Sequence, residues 1–569
     1  MPQTHEKYVL ELLRDRGLVT PGQIEEAQAT LNDEESIVDA FVRQGVFSAD
    51  DISRSLAAQA QITWIDLSDI VVPQEVIEEI RPQDARRFKM IPIARNEYGL
   101  VVATGDPLDV ESIDSLSFLL RRQIELVCTT PEKIRQGLIR YYGNAEEAVD
   151  VLRQKIGDAA LEEIDLEEGA ELSESEGDDA PIIRLVSLLL IEAHKLGASD
   201  IHLEPLEKRF RLRFRIDGVL HEMNSPPKKL QSAIISRLKI MTGSMSIAEK
   251  RLPQDARIQV RMGRKSIDLR VSTIPTNHGE SMVLRVLDKT SLLRGLPELG
   301  FFSDDQETFE RILRAPEGII LVTGPTGSGK TTTLYACLND INKPDRKIIT
   351  VEEPVEYLIN GINQVQVNNE IGMTFPAALR SILRQAPNIV MIGEIRDLET
   401  ASIATNASLT GHLVFSTLHT NDAPSAIARL INIGVQPFLV ATSIRAIMAQ
   451  RLVRRLCLHC KESGRLGDSE LRALNIAPSQ LRQEISAMRP VGCEHCRQTG
   501  YKGRMGIFEI FQIDDEVRHM VSARATTMVL RQRARQLGMR TLREDGVRKV
   551  LAGLTSAEEI ISMTIGDAN

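Results

Sequence analysis

Positive charge is not in excess in this chain: 69 Lys and Arg stand against 79 Asp and Glu, a net charge of −10 at pH 7. Nucleic-acid binding rests on clustered cations that neutralise phosphates, so a nucleic-acid track is disfavoured as the main partner surface. No run of about eighteen apolar residues occurs, which leaves no segment of transmembrane-helix length. The start, Met1-Pro2-Gln3-Thr4-His5-Glu6-Lys7, lacks the basic stretch and apolar core of a secretory leader, and a cytoplasmic protein is expected. Cysteine is scarce. Of the six, Cys128 and Cys337 stand alone, while Cys457, Cys460, Cys493 and Cys496 form two C-x-x-C pairs. Disulfides are rare in the cytoplasm, so the paired four point to a metal.

What is present is the composition of a folded protein, 42% hydrophobic and 26% charged over 569 residues, enough for about four domains. Residues 1–145 open with a short echo: Arg16-Gly17-Leu18 through Ile24 recurs as Gln44-Gly45-Val46 through Ile52, between helical patterns, and suggests paired helical hairpins. Strand-like runs at 90–94 and 99–103 and helices after Asp109 and Pro131 then suggest a small α/β unit. Within the expected linker at 146–180, ten of the nineteen residues from Leu161 to Asp179 are acidic and none is basic. Such a composition cannot bury enough apolar surface to order itself. Residues 181–295 combine a helix with strands, among them Arg209 to Gly218, whose alternation puts arginines on one face and apolar side chains on the other. Residues 296–456 alternate strand and helix as a doubly wound, RecA-like α/β sheet does. A four-cysteine module at 457–505 and a helical segment at 506–569 complete the chain.

The most informative run is Gly324-Pro325-Thr326-Gly327-Ser328-Gly329-Lys330-Thr331, a complete G-x-x-x-x-G-K-[ST] loop after the buried-strand pattern Gly318 to Thr323. Its glycines let consecutive N–H groups point at phosphates, and the helix starting at Lys330 adds its positive end. Lys330 then neutralises the β and γ phosphates of ATP, and the Thr331 hydroxyl is suited to Mg²⁺. Two further strand patterns end in polar clusters, as expected where strand C-termini converge on one crevice. Ile389 to Ile392 runs into Gly393-Glu394; with glycine where an Asp commonly stands, Glu394 is expected to serve Mg²⁺ from the second shell. Leu413 to Leu418 runs into His419, placed to sense the γ phosphate as a donor. The cysteine pairs, with thirty-two residues between them, fit a tetrahedral structural Zn²⁺ site with no position left for water. His459 and His495, inside the pairs, are alternative ligands.

The runs GPTGSGKTTTLY (324–335), ITVEEPVEY (349–357), GINQVQVN (361–368), IVMIGEIRDLETA (389–401), SLTGHLVFSTLHTNDAPSAIARL (408–430) and AQRLVRRLC (449–457) together resemble the type II/type IV secretion P-loop ATPase family, in particular its general secretion pathway E members. The resemblance implies a Mg²⁺-dependent ATPase that works as a homohexamer to drive pseudopilus extension for protein export. The pilus-assembly ATPases are the alternative, and a nucleotide-switched scaffold is a third. It implies that Glu352 activates the attacking water, with Glu353 and Glu356 in support. ASDIHLEP (198–205), RIDG (215–218), RLPQDAR (251–257) and PTNHGE (275–280) resemble the family's second N-terminal domain, a mixed α/β (PAS-like) domain whose arginines reach the nucleotide phosphates. Arg215, Arg270 and Arg285 are the candidates. The N-terminal echo resembles a two-copy module that binds a cyclic dinucleotide in some members. That version starts each copy with Arg-Leu-Gly, and the second copy here has Ser36-Ile37-Val38, so docking on an inner-membrane platform protein is expected instead, placing the ring at the periphery of that membrane.

Overall fold

The computed structural model describes residues 48–143, 180–287, 295–476 and 486–565, apart from 68, 69, 71, 97, 98, 263 and 264, with scattered positions before 48 and between 143 and 153. The acidic stretch 161–179 and most of the N-terminal echo lie outside the described residues; the helix Ala49–Gln59 is the described part of its second copy. Two compact units divide the chain, Met1–Val286 and Leu287–Asn569. Among the described residues no helix is long and apolar enough to cross a membrane.

The first unit holds two sheets. Strands Met90–Arg95, Leu100–Thr104 and Ile124–Cys128 with the short Thr63–Trp64 make a four-stranded sheet, and helices Val110–Leu120 and Pro131–Tyr142 start where Asp109 and Pro131 signalled them. After the helix Ala180–Lys195 comes a six-stranded sheet in which Phe210–Ile216 runs antiparallel to Ala198–Pro205. The expected alternation is realised: Phe210, Leu212 and Phe214 are fully buried, while Arg211, Arg213 and Arg215 take the other face.

The second unit is built on seven strands: β1 (Gly318–Thr323), β2 (Ile348–Glu352), β3 (Asn363–Gln366), β4 (Ile389–Ile392), β5 (Leu413–Leu418), β6 (Ile444–Leu456) and β7 (Tyr501–Gln512). Their order is β3-β2-β4-β5-β1-β6-β7, parallel except for β7 against β6. Near-continuous apolar runs in the central strands reflect burial on both faces. Ile319 and Leu321 of β1 enter one core, with Val390, Ile392 and Val414, and Ile320 and Val322 enter the other, with Met391, Phe415 and Leu338. One expectation is corrected: the core sheet does not end at Leu456. β7 returns after the cysteines to pair along β6, because a thirteen-residue strand leaves its far edge open until an antiparallel partner covers it. The segment from 506 is therefore strand to Gln512 and helical only beyond it, in helices such as Leu542–Leu551 and Ala557–Met563.

The helix Leu542–Leu551 is locked onto β7 by a buried pair. Lys549, fully buried, donates to the Gly506 carbonyl at 2.6 Å and to Asp545 Oδ2 at 2.7 Å, and the same oxygen accepts the Phe508 N–H at 2.9 Å. Removing one partner of a buried pair strands the other charge. Asp545→Ala is expected to cost about 3 kcal/mol or more, read as a lowered denaturation midpoint. Arg380→Ala, which breaks a pair with Glu399 that is more than half exposed on both sides, should cost less than about 1 kcal/mol in the same measurement.

Candidate functional site

β1 ends at Thr323, and the chain turns through Gly324 to Gly329 into the helix α1 (Lys330–Ile341). The turn depends on positive φ at three glycines: 149° at Gly324, 79° at Gly327 and 89° at Gly329. Two of them also lack room for a side chain. A Cβ on Gly324 would stand 2.5 Å from the Gln450 carbonyl oxygen and 2.6 Å from Ser328 Oγ; one on Gly329 would stand 2.8 Å from Gln450 Nε2. Pro325, Thr326, Gly327 and Thr331 are exposed, whereas Ser328 is buried with its hydroxyl unpartnered. Lys330, at the first position of α1, donates to the carbonyls of Gly324 at 2.8 Å and Pro325 at 3.0 Å. Burial lowers its ammonium below the usual lysine range; the Glu394 carboxylate pulls it back up, and Arg451 adds to the fall.

The carboxylates expected from the sequence take distinct positions. Glu394 follows β4 and Gly393, with its side chain 16% exposed. Its Oε2 lies 3.4 Å from His419 Nε2, and its Oε1 pairs with Arg396. The same guanidinium stands 3.5 Å from Glu353, which also accepts from Asn369 Nδ2 at 3.0 Å and is exposed. Glu352, at the end of β2, is 3% exposed, and both its oxygens are engaged: Oε1 accepts from Thr350 Oγ1 at 2.5 Å and Gln364 Nε2 at 3.2 Å, and Oε2 accepts from the Tyr335 hydroxyl. Burial and that carboxylate push the Tyr335 phenol well above its ordinary range. Glu352 is thus enclosed by three donors, whereas Glu394 and His419 are more open to an incoming ligand. Glu356 meets the cluster through its N–H, 3.3 Å from the Tyr335 hydroxyl.

In the first unit, Arg215 and Arg285 converge on Asp200, which is 6% exposed: Arg215 Nε lies 3.3 Å from Oδ2 and Arg285 Nε donates to Oδ1 at 2.9 Å. Arg270 lies on the strand Lys265–Thr276, which neighbours the strand of Arg285 on one side and places Arg270 opposite Arg257 on the other. The shared carboxylate is not visible in the sequence pattern, since it depends on which strands flank Ala198–Pro205.

Residues without an expected role also enter the site. Tyr335 grips Glu352; Gln450 presses on the loop; Arg451 of the same strand donates to Asn421 Oδ1 at 3.2 Å, just beyond His419. All three sit inside runs that the sequence singles out, but only strand register shows what they touch.

At the far end of β6 the sulfurs of Cys457, Cys460, Cys493 and Cys496 lie within 4.8 Å of one another. Cys457 and Cys493 are 3.9 Å apart, and Cys460 and Cys493 each lie 3.7 Å from Cys496. Four sulfurs at about 2.3 Å from a central Zn²⁺ would be about 3.8 Å apart, so the donor set fits a tetrahedral metal. N–H groups of Cys493 and Gly500, each 3.2 Å from Cys496 Sγ, and Gly492, 3.4 Å from Cys460 Sγ, add the outer bonds that such thiolates take. His459 and His495 are not in the cluster; their rings pack on each other at 4.1 Å.

The family model for the Type II/IV secretion system protein matches residues 175–562, and that of the MshEN domain matches residues 60–148. MshEN is a cyclic-di-GMP-binding domain, so this match runs against setting cyclic dinucleotides aside in the N-terminal half. The type IV pilus assembly ATPase PilB of Myxococcus xanthus is 43% identical over 98% of this chain and 99% of its own length. The type II secretion system protein E of Xanthomonas campestris is 43% identical over 92% of each, and the type II secretion system ATPase E of Vibrio cholerae is 44% identical over 85% of this chain and 98% of its own. Among solved structures, the ATPase DotB of Legionella pneumophila matches 67% of this chain and 95% of its own at 21% identity, with a TM-score of 0.50, a likeness of fold. With the greater part of its length matched by the first family model and relatives aligned nearly end to end, the chain belongs to the type II/IV secretion system protein family.

Proposed function

We propose that this chain is an ATP hydrolase whose turnover extends a pseudopilus for type II protein export. The observation that carries the reading is a complete phosphate loop whose lysine feels the charge of Glu394, itself beside His419. Lys330 and the loop N–H groups hold the β and γ phosphates, and the exposed Thr331 hydroxyl would give a hard cation an oxygen donor beside the phosphate oxygens, with Glu394 reaching it only through water. Mg²⁺ bound there supplies neutralising charge to the phosphates. Glu394 accepts the proton of the attacking water, a role its openness suits better than the enclosed Glu352, which steadies the layer behind it. Arg396, bridging Glu394 and Glu353, orients that carboxylate.

Arg215, Arg270 and Arg285 are the phosphate-contacting candidates that the family resemblance implies, and the working form is a cytoplasmic homohexamer held at the inner membrane by a platform protein. The family resemblance supports these points. The four cysteines hold Zn²⁺ as a structural clip. Cyclic di-GMP is the ligand to test on the MshEN-matched residues. Pilus assembly is the second reading, favoured by the end-to-end match to the pilus ATPase.

Glu394→Gln should lower phosphate release at least about a hundredfold with ATP binding retained, and Glu352→Gln should lower it less. The opposite order would return the proton-accepting role to Glu352. Metal analysis of the purified chain should find one zinc per subunit, and Cys493→Ser should lose it and lower the melting temperature; full retention would refute the clip.

A further inference from the structure

β6 lies beside β1 in parallel, with Ala449 opposite Thr323. Since Thr323 is the last residue of β1, the next residue of β6, Gln450, comes level with the start of the phosphate loop. It is 2% exposed. Its backbone oxygen is the atom that a Cβ on Gly324 would meet at 2.5 Å, and its side-chain Nε2 is the atom that a Cβ on Gly329 would meet at 2.8 Å. One residue therefore touches both ends of the six-residue turn. Leu452, on the same side of the strand, backs Gly329 further, at 3.3 Å from that Cβ position. The amide oxygen is engaged separately, accepting from Thr333 Oγ1 at 2.8 Å, and Thr333, fully buried in the first turn of α1, in turn donates its N–H to the Gly329 carbonyl at 3.0 Å.

We infer that Gln450 is a positioning residue for nucleotide binding, an uncharged prop that sets the spacing between Gly324 and Gly329 and so the aim of the loop N–H groups at the phosphates of ATP. The inference rests on the reading of the loop as an ATP site. Satisfying a buried threonine would account for the amide oxygen alone. It would not account for the carbonyl and the amide nitrogen of the same residue both lying against loop glycines. Chemistry also selects this side chain: a carboxylate could accept from Thr333 equally well, but it would place a negative charge under the phosphates. Strand alternation then sends the next residue, Arg451, to Asn421 beside His419. One strand thus props the loop and braces the run that carries the candidate phosphate sensor.

The test measures ATP affinity by equilibrium binding, alongside the nucleotide-free melting temperature, for the full chain and three variants. Gln450→Glu preserves the acceptor for Thr333 and should weaken ATP binding more than tenfold, with a smaller loss for ADP. Gln450→Met should weaken it less than Gln450→Glu does. Thr333→Val, nearly isosteric, should weaken it severalfold with little change in melting temperature, which keeps the inference exposed if a Gln450 variant misfolds. A purely structural glutamine gives the reverse order: the Glu variant binds ATP as the unmodified chain does, and the loss follows melting temperature alone. That result, or unchanged affinity in Thr333→Val, overturns the inference while leaving the ATP site intact. Failure of the unmodified chain to bind ATP would overturn both.

Discussion

Backbone N–H groups converge on an anion only where the chain bends tightly with no side chains in the way, and in the second unit that bend sits at the end of a strand buried on both faces. The rest of the unit follows from it. A six-residue strand whose every position is buried cannot hold its place alone, so β1 is flanked by β5 and β6 and covered by an apolar core on each side. That stiffness lets the glycines keep positive φ without the loop collapsing, and the parallel neighbours deliver Glu352, Glu394 and His419 from the same ends of their strands.

Charge is managed by enclosure, with different outcomes at different sites. Lys549 and Asp545 are buried together and serve to attach the helix Leu542–Leu551 to β7. Glu352 is buried under neutral donors, which fixes it in place. Lys330 is buried on its own loop carbonyls with Glu394 within electrostatic reach. At the other end of β6, four cysteine sulfurs gather between that strand and the start of β7; Cys457 directly follows β6, and Cys496 stands shortly before β7. A metal held there would close the antiparallel ribbon that carries Gln450.

The phosphate loop, the carboxylate-bearing strand ends and the cysteine pairs could be read in the sequence because each is a local pattern with its own chemistry. So could the arginine face of Phe210–Ile216, which needs only alternation. What escaped depends on register between distant strands. The return of β7 to the sheet after the cysteines has no local mark, and neither does the meeting of Arg215 and Arg285 on Asp200, which needs two different strands beside Ala198–Pro205. The enclosure of Glu352 escaped for a related reason: its donors come from α1, β2 and β3, and a carboxylate at a strand end looks the same in sequence whether it is open or capped.

The central claim is that the loop from Gly324 to Thr331 turns ATP over and does not merely hold it. Phosphate release by the purified full-length chain with ATP and Mg²⁺, beside a Lys330→Ala variant, tests this most directly. Steady release that Lys330→Ala abolishes is the predicted result; tight ATP binding with no release would contradict the account and make the protein a nucleotide-switched scaffold.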